Sequence, residues 1–131
     1  MRAPAGAGGH VIALGVVVLG SLGALTRYFM DDAVSRRTKS RLPYGTQLVN
    51  VTGSFLLGFV TGLVLYHSGS ADTRTLVGTG FCGALTTWST LSWETVRLVE
   101  DGETSTAVVA MLGGVAVCLL AAALGLAVAS L

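Results

Sequence analysis

Charge is what this sequence has least of. Asp, Glu, Lys and Arg make up only 11% of its 131 residues, against about 25% in a soluble domain. Most of its surface therefore does not face water, and the mean hydropathy of +0.73 points the same way. Cysteine is also rare, with two residues. Cys82 and Cys118 both sit in apolar runs, with no Cys or His at a metal-ligand spacing. They read as small buried hydrophobes, and no disulfide framework follows. A nucleophile–base pair, a phosphate loop and a carboxylate dyad are all missing, and His10 and His67 fall near the water-side ends of apolar segments. An enzyme is not expected. The balance of eight basic and seven acidic residues, with no basic helix carrying interleaved aromatics, excludes a nucleic-acid partner.

What remains is apolar length. The chain is long enough for one domain, residues 1–131. A hydrocarbon core about 30 Å thick takes about 20 apolar residues of helix. Four segments meet that length, at residues 11–28, 46–66, 76–98 and 106–131, joined by the polar links DDAVSRRTKSRLPYG, HSGSADTR and VEDGETS. The expected fold class is an all-α membrane protein with four transmembrane helices. The apolar run after Arg2 continues through Leu25 into Thr26-Arg27-Tyr28 without a cleavage pattern, so it reads as a retained first helix rather than a signal peptide.

The basic residues set an orientation. With four spans, Arg2 and Arg74 lie on one side, and Arg27, Arg36, Arg37, Lys39, Arg41 and Arg97 on the other. Lys and Arg in short loops stay cytoplasmic. Both termini are thus expected outside, and the chain is expected to insert one way only. Small residues recur every fourth position at Ser54, Gly58 and Gly62 in the second span and at Ala121, Gly125 and Ala129 in the fourth. Such stripes let membrane helices approach closely, either within the chain or against a partner subunit.

The third span holds the densest polar run, GFCGALTTWSTLSWE at residues 80–94. Gly78, Gly80 and Gly83 match G-x-G-x-x-G by letter, but no strand precedes them, and a dinucleotide fingerprint needs one. Two readings of Gly83-Ala84-Leu85-Thr86 stand side by side. Either the helix breaks there, freeing carbonyls of the kind that hold sodium in discontinuous membrane helices. Or the helix continues, with the Thr86 and Thr87 hydroxyls bonded to carbonyls one turn back. Trp88 and Leu91 share a helix face, and an aromatic edge or indole N–H suits an anion. Asn50 in the second span and Glu94 in the third are polar intruders of the sort that default to function. Glu94 could also snorkel to the headgroups, and Asn50 could simply bond a neighbouring helix.

Together GTQLVNVTGSFLLG (45–58), GFCGALTTWSTLSWE and LGSLGALTRY (19–28) resemble the CrcB/Fluc fluoride channel family over nearly the whole chain. That resemblance implies an antiparallel dimer with two fluoride pores along its interface. It also implies a structural, untransported sodium ion at the dimer centre, held by the carbonyls of Gly83 and Thr86. It assigns the family's second-helix asparagine to Asn50, its first-helix arginine, a structural residue, to Arg27 and its third-helix glutamate to Glu94. Ser89 and Thr90 fall beside the ion path. The chain departs from the family pattern in three ways. Trp88 and Leu91 stand where paired phenylalanines line the path. The fourth-helix hydroxyl track falls on Ala110, Gly114 and Cys118. The basic residues divide six to two. One expectation covers all three departures: an oppositely oriented homologue completes the dimer and supplies missing pore groups. The alternatives are a non-conducting partner subunit and a small multidrug-type exporter. The exporter would carry a carboxylate in its first helix, and residues 14–25 contain none.

Overall fold

A computed structural model describes residues 7–131, and Arg2 lies outside the described residues. Every regular element among them is helical: α1 (Ala7–Arg37), α2 (Tyr44–Tyr66), α3 (Ala71–Thr73), α4 (Gly83–Leu85), α5 (Trp88–Glu100), α6 (Thr104–Val108) and α7 (Gly114–Ala129). Wider π winding joins α3 to α4 (Arg74–Cys82) and α6 to α7 (Val109–Gly113). Among the described residues, three helices are long and apolar enough to cross a membrane: Gly8–Arg37, Tyr44–Tyr66 and Thr104–Ala129.

The packing is that of a protein in lipid. Large aliphatic side chains such as Val11, Leu14, Leu119, Leu120 and Leu124 point outward, while the buried apolar set includes Ala107, Ala110, Ala121 and Ala129. Lipid solvates leucine as well as another leucine does, so burying it gains little, whereas small residues bring backbones together and gain dispersion contact. The stripes at Gly58–Gly62 and Ala121–Ala129 are used in this way within one chain, because α2 and α7 form the most extensive helix pair. A Cβ at Gly58 would run into the Ala122 backbone, one at Gly125 into the backbone of Phe55 and Phe59, and one at Gly62 into Ala129. α1 packs in the same manner against the π segment, with Gly23 over Phe81.

The loops at one end are tied. α1 has 31 residues and spans roughly 46 Å at 1.5 Å per residue, so it projects beyond the hydrocarbon. Asp32 and Arg36 pair one turn apart at 2.8 Å there, and Arg36 and Arg37 complement the carbonyl end of the helix. α5 stops in a Schellman turn. Gly102, at φ +80°, donates its N–H to the Val99 carbonyl, and Glu103 donates to Leu98. Glu103 then pairs with Arg41. The α1–α2 and α5–α6 connections are thereby fixed to each other. At the opposite end the His67 ring bonds the Ala129 carbonyl at 2.8 Å, joining the ends of α2 and α7.

Candidate ion-pathway site

The site is organised by two residues that are not helical. Thr86 (φ −78°, ψ 153°) and Thr87 (φ −147°, ψ 120°) are extended, with helix on both sides. Gly83 keeps ordinary helical dihedrals (φ −62°, ψ −33°). The departure therefore lies at the far end of the Gly83–Thr86 stretch, not around Gly83 as the glycine suggests. Its cause is hydrogen bonding rather than glycine freedom. The Asn50 side chain, from α2, accepts from the Thr87 amide at 2.7 Å and donates to the Thr87 carbonyl at 3.0 Å. Thr87 Oγ1 in turn caps α5 by accepting from the Thr90 amide at 3.2 Å.

These bonds free two carbonyls. In a continuous helix the Thr87 amide would reach back to Gly83, and the Thr90 amide to Thr86. One is taken by Asn50 and the other by the Thr87 cap. The oxygens of Gly83 and Thr86 thus lose their helical donors at the turn where the resemblance expects sodium ligands. The Thr86 hydroxyl does bond one turn back, to the Cys82 carbonyl at 3.1 Å, whereas the Thr87 hydroxyl serves the next helix instead.

Two cavities flank the break, and Thr87 lines both. A groove of about 330 Å³ between α2, α5 and α7 is lined by Asn50, Ser54, Trp88, Leu91, Gly114 and Cys118, among others. On the other side a cavity of about 170 Å³ is lined by Arg27, Asp31, Thr46, Thr87 and Thr90 together with apolar neighbours. Asp31 also borders a third, wider space of about 660 Å³, a polar vestibule with Arg41, Trp93, Glu94 and Arg97 in its wall. Asp31 is thus a wall residue of both vestibule and small cavity, and Thr87 of both small cavity and groove.

The structure brings Asn50, Trp88 and Leu91 together on the groove and places Thr90 with Arg27 on the small cavity. Leu91 is buried, while the Trp88 ring is 63% exposed at the groove's edge. Glu94 lines the vestibule and neither the groove nor the small cavity, although Thr46 of that cavity approaches its carboxylate. One of its carboxylate oxygens is buried without a hydrogen-bond partner among the described residues. Ser89 is exposed, its hydroxyl 3.2 Å from Thr87 Oγ1. Ala110 is buried against Leu98 and Ala107, whereas Gly114 and Cys118 face the groove.

The sequence put Thr87, which is central, only among hydroxyls bonded one turn back and Ser54 only in a small-residue stripe, and gave Thr46 and Asp31 no role. Thr46 is 1% exposed, and its hydroxyl has no partner among the described residues. Thr46, Asn50 and Ser54 recur at four-residue spacing on α2, and that periodicity was the available signal.

An all-helical chain with its leucines turned outward and a polar clasp among apolar helices is a membrane protein. Residues 14–126 match the family of CrcB-like proteins, Camphor Resistance (CrcB). The chain is 41% identical over 116 residues to "Fluoride-specific ion channel FluC 1" of Leifsonia xyli subsp. xyli, covering 88% of this chain and 85% of that one. It is 44% identical over 112 residues to "Fluoride-specific ion channel FluC 2" of Mycobacterium tuberculosis, covering 86% of each. A "Fluoride-specific ion channel FluC" of Citrifermentans bemidjiense is 40% identical over 115 residues, covering 87% and 93%. The chain belongs to the CrcB-like family.

Proposed function

We propose that the chain is a subunit of a fluoride channel that lets fluoride leave the cytoplasm passively across the plasma membrane. The observation that carries this reading is the kinship to proteins named fluoride-specific ion channels over 88% of the chain. The geometry of the break supports it. The third of four spans is taken as the two helical pieces on either side of Thr86–Thr87, both termini lie outside, and two chains pair antiparallel with a pore along each side of their interface.

Fluoride is small and holds water tightly, so it crosses only where donors replace its hydration in steps, without a buried full charge that would trap it. Thr90, Ser54 and the remaining N–H of Asn50 are donors of that kind, the Thr87 hydroxyl donating to Thr90 Oγ1. Trp88 and Leu91 form the groove wall beside them, and Glu94 borders the vestibule through which the ion enters. HF that crosses the membrane from acidic surroundings dissociates in the more alkaline cytoplasm, and the channel returns the trapped anion. The freed carbonyls of Gly83 and Thr86 fit a hard cation. A sodium ion held by them and their counterparts in the partner would supply a fixed positive charge at the dimer centre and pin the chains together.

The six-to-two division of basic residues supports a partner that is an oppositely oriented homologue. A second reading, a non-conducting partner subunit, is favoured by Leu91 and by the hydroxyl-free α7 wall of the groove. Fluoride efflux from liposomes, measured for the chain alone and with its homologue, separates them. Efflux from the mixture only supports the heterodimer. Efflux from neither preparation overturns the channel reading.

A further inference from the structure

We propose that the pocket walled by Arg74, Thr75 and Thr79 is the outer mouth of the ion path, where the Arg74 guanidinium gathers fluoride by its charge. The proposal rests on the channel reading and the orientation above. The pocket holds about 420 Å³ and lies where α2 meets the π segment that follows α3. Leu57 is a wall residue of both this pocket and the groove beside Asn50, so one side chain borders the two spaces. Their closeness depends on Gly78, which is buried. A Cβ there would stand 3.1 Å from Leu57 Cδ1 and 3.8 Å from Arg74 Cγ, so Leu57 and the stem of Arg74 come together over its backbone.

Charge singles this pocket out. Its lining carries a guanidinium and no carboxylate, whereas the vestibule at the opposite end mixes Arg41 and Arg97 with Asp31, Glu94 and Asp101. The ion pairs among the described residues engage Arg36 and Arg41, and neither involves Arg74. Asp72 lies two positions before it, and residues two apart on a helix do not face each other. The Thr75 hydroxyl donates to the Ala71 carbonyl at 3.1 Å, which leaves Arg74 and Thr79 as the donors. They are five positions apart in π winding, whose hydrogen bonds run from i to i+5, so they stand one above the other. Both are exposed, and that decides what the charge can do. A guanidinium in water attracts an anion over a few ångströms without holding it, unlike one buried in the path. Fluoride that leaves the groove past Leu57 meets a positive field and a hydroxyl as it regains its water, and the last step out becomes easier.

The test is fluoride efflux from proteoliposomes of whichever assembly conducts, the chain alone or with its oppositely oriented homologue. Salt is varied from about 10 mM to about 1 M, over which the screening length falls from about 30 Å to about 3 Å. At low salt Arg74→Gln is expected to lower efflux about fivefold, the factor for unit charges about 4 Å apart in water. Arg74→Glu lowers it further, and Arg74→Lys keeps it. At high salt all four converge. Arg74→Cys, in a chain with Cys82 and Cys118 replaced by Ala, separates charge from folding. Modified before reconstitution with a methanethiosulfonate that carries an ammonium, it is expected to recover efflux, and with one that carries a sulfonate, to lose more. Wild-type efflux from Arg74→Gln at low salt overturns the proposal, and a guanidinium already neutralised by a lipid phosphate would give that result. A deficit that is the same at every salt concentration, or equal efflux after the two reagents, marks a structural role and also overturns it. Absence of fluoride efflux from the unsubstituted assembly overturns the channel reading itself, and this proposal with it.

Discussion

Asn50 and Thr87, 37 positions apart, are joined by two hydrogen bonds in opposite directions, so that one side-chain amide satisfies both polar groups of one backbone residue. An Asn carboxamide has the shape of a peptide group. Here it completes a one-residue bridge in place of a strand. The residue picked from the sequence for the ion path is thus also the clasp that holds the backbone open between α4 and α5. One Nδ2 hydrogen remains free for a ligand.

Replacing Asn50 by Leu is expected to destabilise the protein by roughly 2–6 kcal/mol, because it leaves the Thr87 N–H and C=O without partners, at about 1–3 kcal/mol each. Asn50→Asp keeps an acceptor for the Thr87 amide but loses the donor to its carbonyl, and should fall between Leu and the wild type. Thermal unfolding in detergent ranks the three. Equal stability for all of them would show that the clasp contributes nothing.

Thr87 should tolerate Ser and not Val. Its hydroxyl caps α5 by accepting from the Thr90 amide. Loss of such a cap costs about 1 kcal/mol, and Ser retains the oxygen. A lower melting temperature for Thr87→Val, recovered in Thr87→Ser, is the expected pattern. If Ser melts as low as Val, the methyl group and not the cap is what matters.

Gly58→Ala is expected to loosen the α2–α7 pair, since its new Cβ would meet the Ala122 backbone, which cannot move aside as a side-chain tip can. Overpacking of this kind costs roughly 1–3 kcal/mol. Gly113→Ala meets nothing within 4 Å and should change little. Comparison of the two melting temperatures checks the pairing of these helices.

The sodium site proposed at the Gly83 and Thr86 carbonyls predicts that assembly depends on sodium. Exchange of sodium for N-methylglucamine, an organic cation too large for such oxygens, is expected to shift the size-exclusion profile from dimer to monomer. An unchanged profile would remove the Gly83–Thr86 site from the reading.

One-way insertion predicts asymmetric labelling. In a background with Cys82 and Cys118 replaced by Ala, Arg74→Cys should react with an impermeant thiol reagent on whole cells, and Lys39→Cys only after the membrane is opened. Labelling of both on whole cells would mean dual orientation.

Composition and spacing determined by themselves that the chain is helical and lives in lipid. Scarce charge and long apolar runs are sums over residues, and lipid reads sums. The small-residue stripes also named the faces on which helices meet, because a four-residue spacing is a local property of a helix. Tertiary structure alone decided that the α2 stripe is used against α7. It also decided where the chain leaves its helical winding between α4 and α5. Gly83, the residue that catches the eye, is regular. The opening falls at Thr86 and Thr87 because a distant asparagine outcompetes the helix for one amide, and the cap of the next helix takes another. Which donor meets which acceptor across helices is a question of position in space, and the order of residues along the chain does not contain it.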